Sequence, residues 1–97
     1  MKTLEIIHLR LAGNGPHDLV DLIRRSFDPE PGRIEVRIYK HAKLTNDLAI
    51  HVHRETVGRN DGASEVGIRL ASLLRDHGMI DHTVWFEEPI AAKGGQK

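Results

Sequence analysis

Ile34-Glu35-Val36-Arg37-Ile38-Tyr39, a turn at Thr45-Asn46-Asp47, and then Leu48-Ala49-Ile50-His51-Val52-His53 alternate apolar and polar side chains. Successive side chains of a strand point to opposite faces, so each half of this stretch reads as a half-buried strand. The link between them is turn chemistry, because Asn and Asp side chains bond their own backbone and tolerate left-handed angles. The two halves form a hairpin with Ile34, Val36, Ile38, Leu48, Ile50 and Val52 on one face.

Upstream, Asp28-Pro29-Glu30-Pro31-Gly32 breaks the chain, since proline cannot continue a helix and glycine permits reversal. Before it, Leu19, Leu22, Ile23 and Phe27 recur at helical spacing, with Asp21, Arg24 and Arg25 on the other side. Pro16 suits the first helical position, where its missing N–H would be unpaired anyway, and Asp18 favours the first turn electrostatically. Leu4 to Leu11 is mostly apolar and branched and is ended by Gly13-Asn14-Gly15-Pro16, which marks a first strand with Ile7, Leu9 and Leu11 on one parity.

Downstream, Gly58-Arg59-Asn60-Asp61-Gly62 is a polar connection. Ser64 or Asp61 can cap a second helix carrying Val66, Leu70, Leu73, Leu74 and His77, and Gly78 terminates it. His77 at that end is a favourable charge–dipole placement. Thr83-Val84-Trp85-Phe86-Glu87-Glu88 has strand propensity and stops at Pro89, which cannot donate to a ladder.

The order is βαββαβ, an α+β arrangement of ferredoxin-like type. It expects a four-stranded antiparallel sheet, ordered 4-1-3-2, with both helices on one face. Residues 1–90 make one domain and 91–97 a frayed tail.

Ninety-seven residues suffice for one modest core, which buries roughly 60 to 68 % of the unfolded surface. Lys+Arg and Asp+Glu each number 14, so no net charge draws the chain to phosphate backbones or anionic lipid. Neither nucleic acid nor membrane is expected as a partner. Cysteine is absent, which removes disulfides, thiolate nucleophiles and Cys-based zinc sites together. Glu5, His8 and Arg10 interrupt any secretory h-region, and no apolar run reaches the roughly 20 residues a membrane span needs. The expectation is a soluble, cytoplasmic protein.

Parity sends the remaining strand residues to the face that the helices leave uncovered. These are Leu4, Ile6, His8 and Arg10; Glu35, Arg37, Tyr39 and His41; Ala49, His51 and His53; and Trp85 with Glu87. Antiparallel sheets often keep one face wet, but an apolar and aromatic patch of Leu4, Ile6, Tyr39 and Trp85 marks an interface or pocket. His8 is expected beside the strands of His51 and Trp85, and Tyr39 across from His51. The candidate ligand-binding residues are His8, Arg10, Arg37, Tyr39, His51, His53 and Trp85. Within them His8, His51 and His53 form a candidate divalent-metal set, because His51-x-His53 puts two imidazoles on one strand face. No motif requires a cofactor.

With these elements and the closing segment Gly78-Met79-Ile80-Asp81-His82-Thr83-Val84-Trp85-Phe86-Glu87-Glu88, the chain resembles the dimeric α/β-barrel superfamily over Leu4 to about Pro89. Antibiotic-biosynthesis-monooxygenase-like and stress-responsive barrel proteins belong to it. The resemblance implies a homodimer closed through the uncovered sheet faces, binding a small organic ligand between them. It also implies, as an alternative, a cofactor-independent monooxygenase using the Tyr39, Trp85, His8, His51, His53 and Arg37 chemistry. Haem-degrading members carry an Asn, Trp and His set, whereas the first strand here has no Asn and His77 lies at a helix end. A metal-binding dimer, a purely structural interaction dimer and an ACT-like regulatory module, whose ligands would bind near Gly13 to His17, are the other readings.

Overall fold

The structure, a computed structural model, describes residues 1–13, 19–26, 34–44, 46–57 and 62–89. Its elements are β1 (Lys2–Leu11), α1 (Leu19–Ser26), β2 (Ile34–Lys40), β3 (Asp47–Glu55), α2 (Glu65–Leu74), a 3-10 turn at Arg75–His77, and β4 (Gly78–Phe86). All strand pairs are antiparallel and the sheet order is β2-β3-β1-β4. That is the expected 4-1-3-2 order read from the opposite edge. The chain is therefore α+β, with ferredoxin-like topology.

The register sorts the side chains into two faces. On the helix side lie Ile7, Leu9, Leu48, Ile50 and Val52, fully or nearly fully buried against Leu19 and Ile23 of α1 and Leu70, Ala71 and Leu74 of α2. Leu11, Val36, Ile38 and Ile80 pack around this cluster. Leu22 of α1 and Val66 of α2, both on the stripes read from helical spacing, pack beside it. Phe27, Pro16, Asp61 and the tail from residue 90 lie outside the described residues, as does the Gly13 to His17 loop beyond Gly13.

Three boundaries differ from the sequence reading. The last strand starts at Gly78, not Thr83, because Met79, Ile80, Asp81 and His82 gain a ladder partner in Arg10, Leu9, His8 and Ile7. Their mixed polarity hides the strand until β1 is known to lie alongside. The α-helix ends at Leu74, and Gly78 closes the 3-10 turn that continues it; a Cβ at position 78 would run into the Arg10 backbone. Asp47 leaves the turn and joins β3, where it pairs with Arg10.

A carboxylate sits inside the helix face. Glu5 has no solvent-accessible surface and lies between Val52 and Val84 across the sheet. Its oxygens accept hydrogen bonds from the Ser64 backbone N–H at 3.0 Å and from His82 Nε2 at 2.9 Å. The Arg54 guanidinium is 3.2 Å away and also donates to the Gly62 carbonyl at 2.7 Å. Ser64 is the N-cap of α2, and its hydroxyl accepts from the Gly67 N–H at 2.9 Å.

In a capping box, a Glu at the third helical position returns to the N-cap N–H. Here Gly67 holds that position, and Glu5 supplies the carboxylate from a strand instead. A Cβ on Gly67 would strike the Glu5 carboxyl.

Two outcomes follow for stability. Glu5→Ala leaves the His82 ring and the Ser64 N–H without their acceptor and the Arg54 charge without its counter-ion, and is expected to cost about 3–5 kcal/mol in urea unfolding, as removal of one partner from a buried ion pair does. Gly67→Ala would gain about 1 kcal/mol from helix propensity alone. Thermal denaturation is expected to show a net loss for it, and a raised Tm would refute the close packing of Glu5 under α2.

Candidate functional site

The uncovered face is a grid of four rows. Across the sheet from β2 to β4, one row holds Glu35, His53, Leu4 and Trp85, and the next Arg37, His51, Ile6 and Thr83. A third holds Tyr39, Ala49, His8 and Asp81, and the last Asp47, Arg10 and Met79. All seven candidate residues share this face. Tyr39 does not stand opposite His51, as expected, but opposite Ala49; its ring still meets the His51 ring diagonally, with centroids 4.7 Å apart and planes tilted by 56°.

At one corner, Trp85 is 56 % exposed, and its indole N–H donates to Thr83 Oγ1 at 2.8 Å, which fixes the ring along the strand. Leu4, His53, Lys2, Phe86 and Glu87 join Trp85 around a recess of about 290 Å³. His53 Nε2 is buried there without a hydrogen-bond partner among the described residues. Glu35 and Arg37 pair with each other, Nε to Oε2 at 2.7 Å. The hydrogen bond from Arg37 holds the Glu35 carboxyl below its ordinary range.

At the opposite corner, Asp47 is nearly buried although it lies on the open face. His8 Nε2 donates to its Oδ2 at 3.1 Å, and Arg10 Nε lies 3.5 Å from Oδ1. Burial opposes the Asp47 charge, but the His8 hydrogen bond and the Arg10 charge outweigh it and keep the carboxyl below its ordinary range. Beside this trio, Tyr39, His41, Ala49, Lys40 and Leu48 bound a smaller recess of about 100 Å³. His41 is occupied as a loop cap: its Nδ1 accepts from the Lys43 and Leu44 N–H groups at 3.0 and 2.9 Å.

His8 thus turns toward Asp47, while His51 and His53 belong to the rows of Ile6 and Leu4. Among the described residues, no three His, Cys, Asp or Glu side chains are grouped to hold a metal ion. His82 belongs to neither recess; it faces the helices and Glu5. Asp47 and Asp81 were missed as members of the face. The readable signal was parity, which places both there once β3 is extended back to Asp47 and β4 to Gly78.

The four-stranded α+β sheet with one open, histidine-rich face defines the class of this protein as far as its fold goes. A scan against protein-family models finds no match, and searches of the curated proteins and of the solved structures find no similar protein. No helix among the described residues is long and apolar enough to cross a membrane.

Burial, reinforced by the nearby His53, lowers the affinity of His51 for a proton. The folded state therefore binds fewer protons here than the unfolded chain, whose imidazole titrates near about 6.5. Stability from this group is complete above that pH and declines as pH falls through it. In NMR titrations, His51 is expected to protonate below the free imidazole range and to move back toward it in His53→Ala.

Proposed function

We propose that this chain is a homodimer closed through its open sheet face, of dimeric α/β-barrel type, and that the pair encloses a small organic ligand. The carrying observation is Trp85, an indole more than half exposed beside Leu4 over a recess of about 290 Å³. Met79 at 77 % and Tyr39 at 42 % exposure extend the apolar surface on the same face. Isolated exposed apolar residues are ordinary, but several sharing one sheet face mark a surface that another body covers.

Size favours a second copy. Four strands about 4.8 Å apart and four rows about 6.7 Å apart span about 500 Å². Two such faces bury about 1,000 Å² before side-chain relief is counted, the area at which specific interfaces begin. Two acidic groups of the face are matched within it, Glu35 by Arg37 and Asp47 by Arg10, and Asp81 lies on the edge strand β4, so pairing at the centre of the face brings few bare charges together. The recess at Trp85 approaches the roughly 300 Å³ lower size of small-molecule pockets, and a facing copy would roof it. Its walls are mostly apolar, from Leu4, Trp85 and Phe86, with the His53 imidazole and the Lys2 and Glu87 side chains beside them, and suit a planar, mostly apolar molecule.

Light scattering is expected to return the mass of two chains. Ile6→Asp, which puts an unpaired charge at the centre of the face, is expected to return one. Trp85 is the only tryptophan, so its emission should shift to the red in that variant. A wild-type monomer at millimolar concentration removes the reading. A dimer whose Trp85 emission is unmoved by any small aromatic ligand reduces it to a structural interface.

A further inference from the structure

His8 combines three features that a proton-accepting imidazole requires. Its Nε2 is tied to Asp47, a carboxylate that accepts only, so the ring proton resides on Nε2 and Nδ1 carries the lone pair. The side chain is 42 % exposed, and among the described residues Nδ1 has no hydrogen-bond partner. Ala49, the smallest side chain of its row, separates His8 from Tyr39 and opens the recess of about 100 Å³ between them.

A buried carboxylate bonded to one ring nitrogen holds the tautomer and orientation and stabilises the imidazolium formed when the other nitrogen takes a proton. Asp47 is itself held from the far side by Arg10. Asp81, on the strand opposite β3, pairs with His8 and adds a second acidic group next to that imidazolium.

From this geometry we infer that the His8–Asp47 pair is a general-base site. It would remove a weakly acidic C–H or O–H proton from a small planar molecule seated between His8 and Tyr39. The inference rests on the reading that the open face holds an organic ligand. The substrate proton passes to Nδ1, its bonding pair delocalises into the planar system, and the imidazolium later returns the proton to the product or to water. No oxidant, metal or co-reactant is needed. Asp47 is a positioning residue, and Tyr39 with the recess walls supplies the apolar surround in which such a base is effective.

The test uses 5-nitrobenzisoxazole as a probe. Loss of its ring C–H proton to a base forms a nitrile as the N–O bond breaks, releasing a coloured cyanonitrophenolate. The full chain is expected to accelerate this reaction above free imidazole, with about a 100-fold loss in His8→Ala and His8→Gln, the scale of one general base. Asp47→Asn is expected to fall toward the same level. Nitrogen-15 NMR of the wild-type chain should show His8 as the Nε2–H tautomer, and Asp47→Asn should abolish that preference. Circular dichroism identifies any variant that fails to fold, and the NMR readout on the wild-type chain stands without it.

Folded His8 variants that retain the wild-type rate, or a His8 protonated on Nδ1, overturn the assignment. Light scattering on the same samples separates the two readings. A dimer with no His8-dependent rate leaves pairing in place and removes the base; a monomer with a His8-dependent rate does the reverse.

Discussion

The Glu5 carboxylate, sealed under the N-terminus of α2, ties one helix and three strands to one another. It joins the central strand β1 to the helix through Ser64, to β4 through His82 and to β3 through Arg54. A charge taken out of water must be matched by donors in good geometry, or the fold loses several kcal/mol. That requirement fixes the helix start, the glycine at position 67 and the register of three strands at once. Apolar packing alone would tolerate a helix displaced by part of a turn. A carboxylate held by two converging donors and a neighbouring guanidinium does not.

With the helices locked on one side, the pleat decides what the other side carries. Each odd-numbered position of β1 and its partners on the sheet is spent on the core, and the alternate positions form the open grid of histidines, arginines, acids and aromatics. The two ends of that grid differ physically. The Trp85 end is apolar and roomy, suited to binding through contact area. The His8 end is small and organised around Asp47, whose carboxylate orients the ring. A ligand held at the first would lie within the reach of a few rows of the second.

The hairpin was legible because its alternation is nearly perfect from Ile34 to His53, and Ser64 was legible because a hydroxyl ahead of an apolar helical stripe has few other uses. The seven candidate residues were placed on one face by parity alone, which needs only the strand assignments. Gly78 to His82 was not legible: Met, Ile, Asp and His in succession carry no strong strand signal, and the segment becomes a strand because β1 offers it a ladder. Glu5 was read only as a charge interrupting an apolar run. Its partners are 49, 59 and 77 residues away in sequence, the distances from Glu5 to Arg54, Ser64 and His82. No local pattern reports such contacts.

By itself, then, the sequence determined the element order, the two helical stripes and the division of strand residues between a core face and an open face. These depend on periodicity, and periodicity is local. Only the tertiary structure decided which open-face residues meet. It set Tyr39 beside Ala49, tied His8 to Asp47 away from His51 and His53, and turned His82 to the buried Glu5. Register and ion pairing across strands are properties of residues far apart in the chain, so they exist only once the sheet has formed.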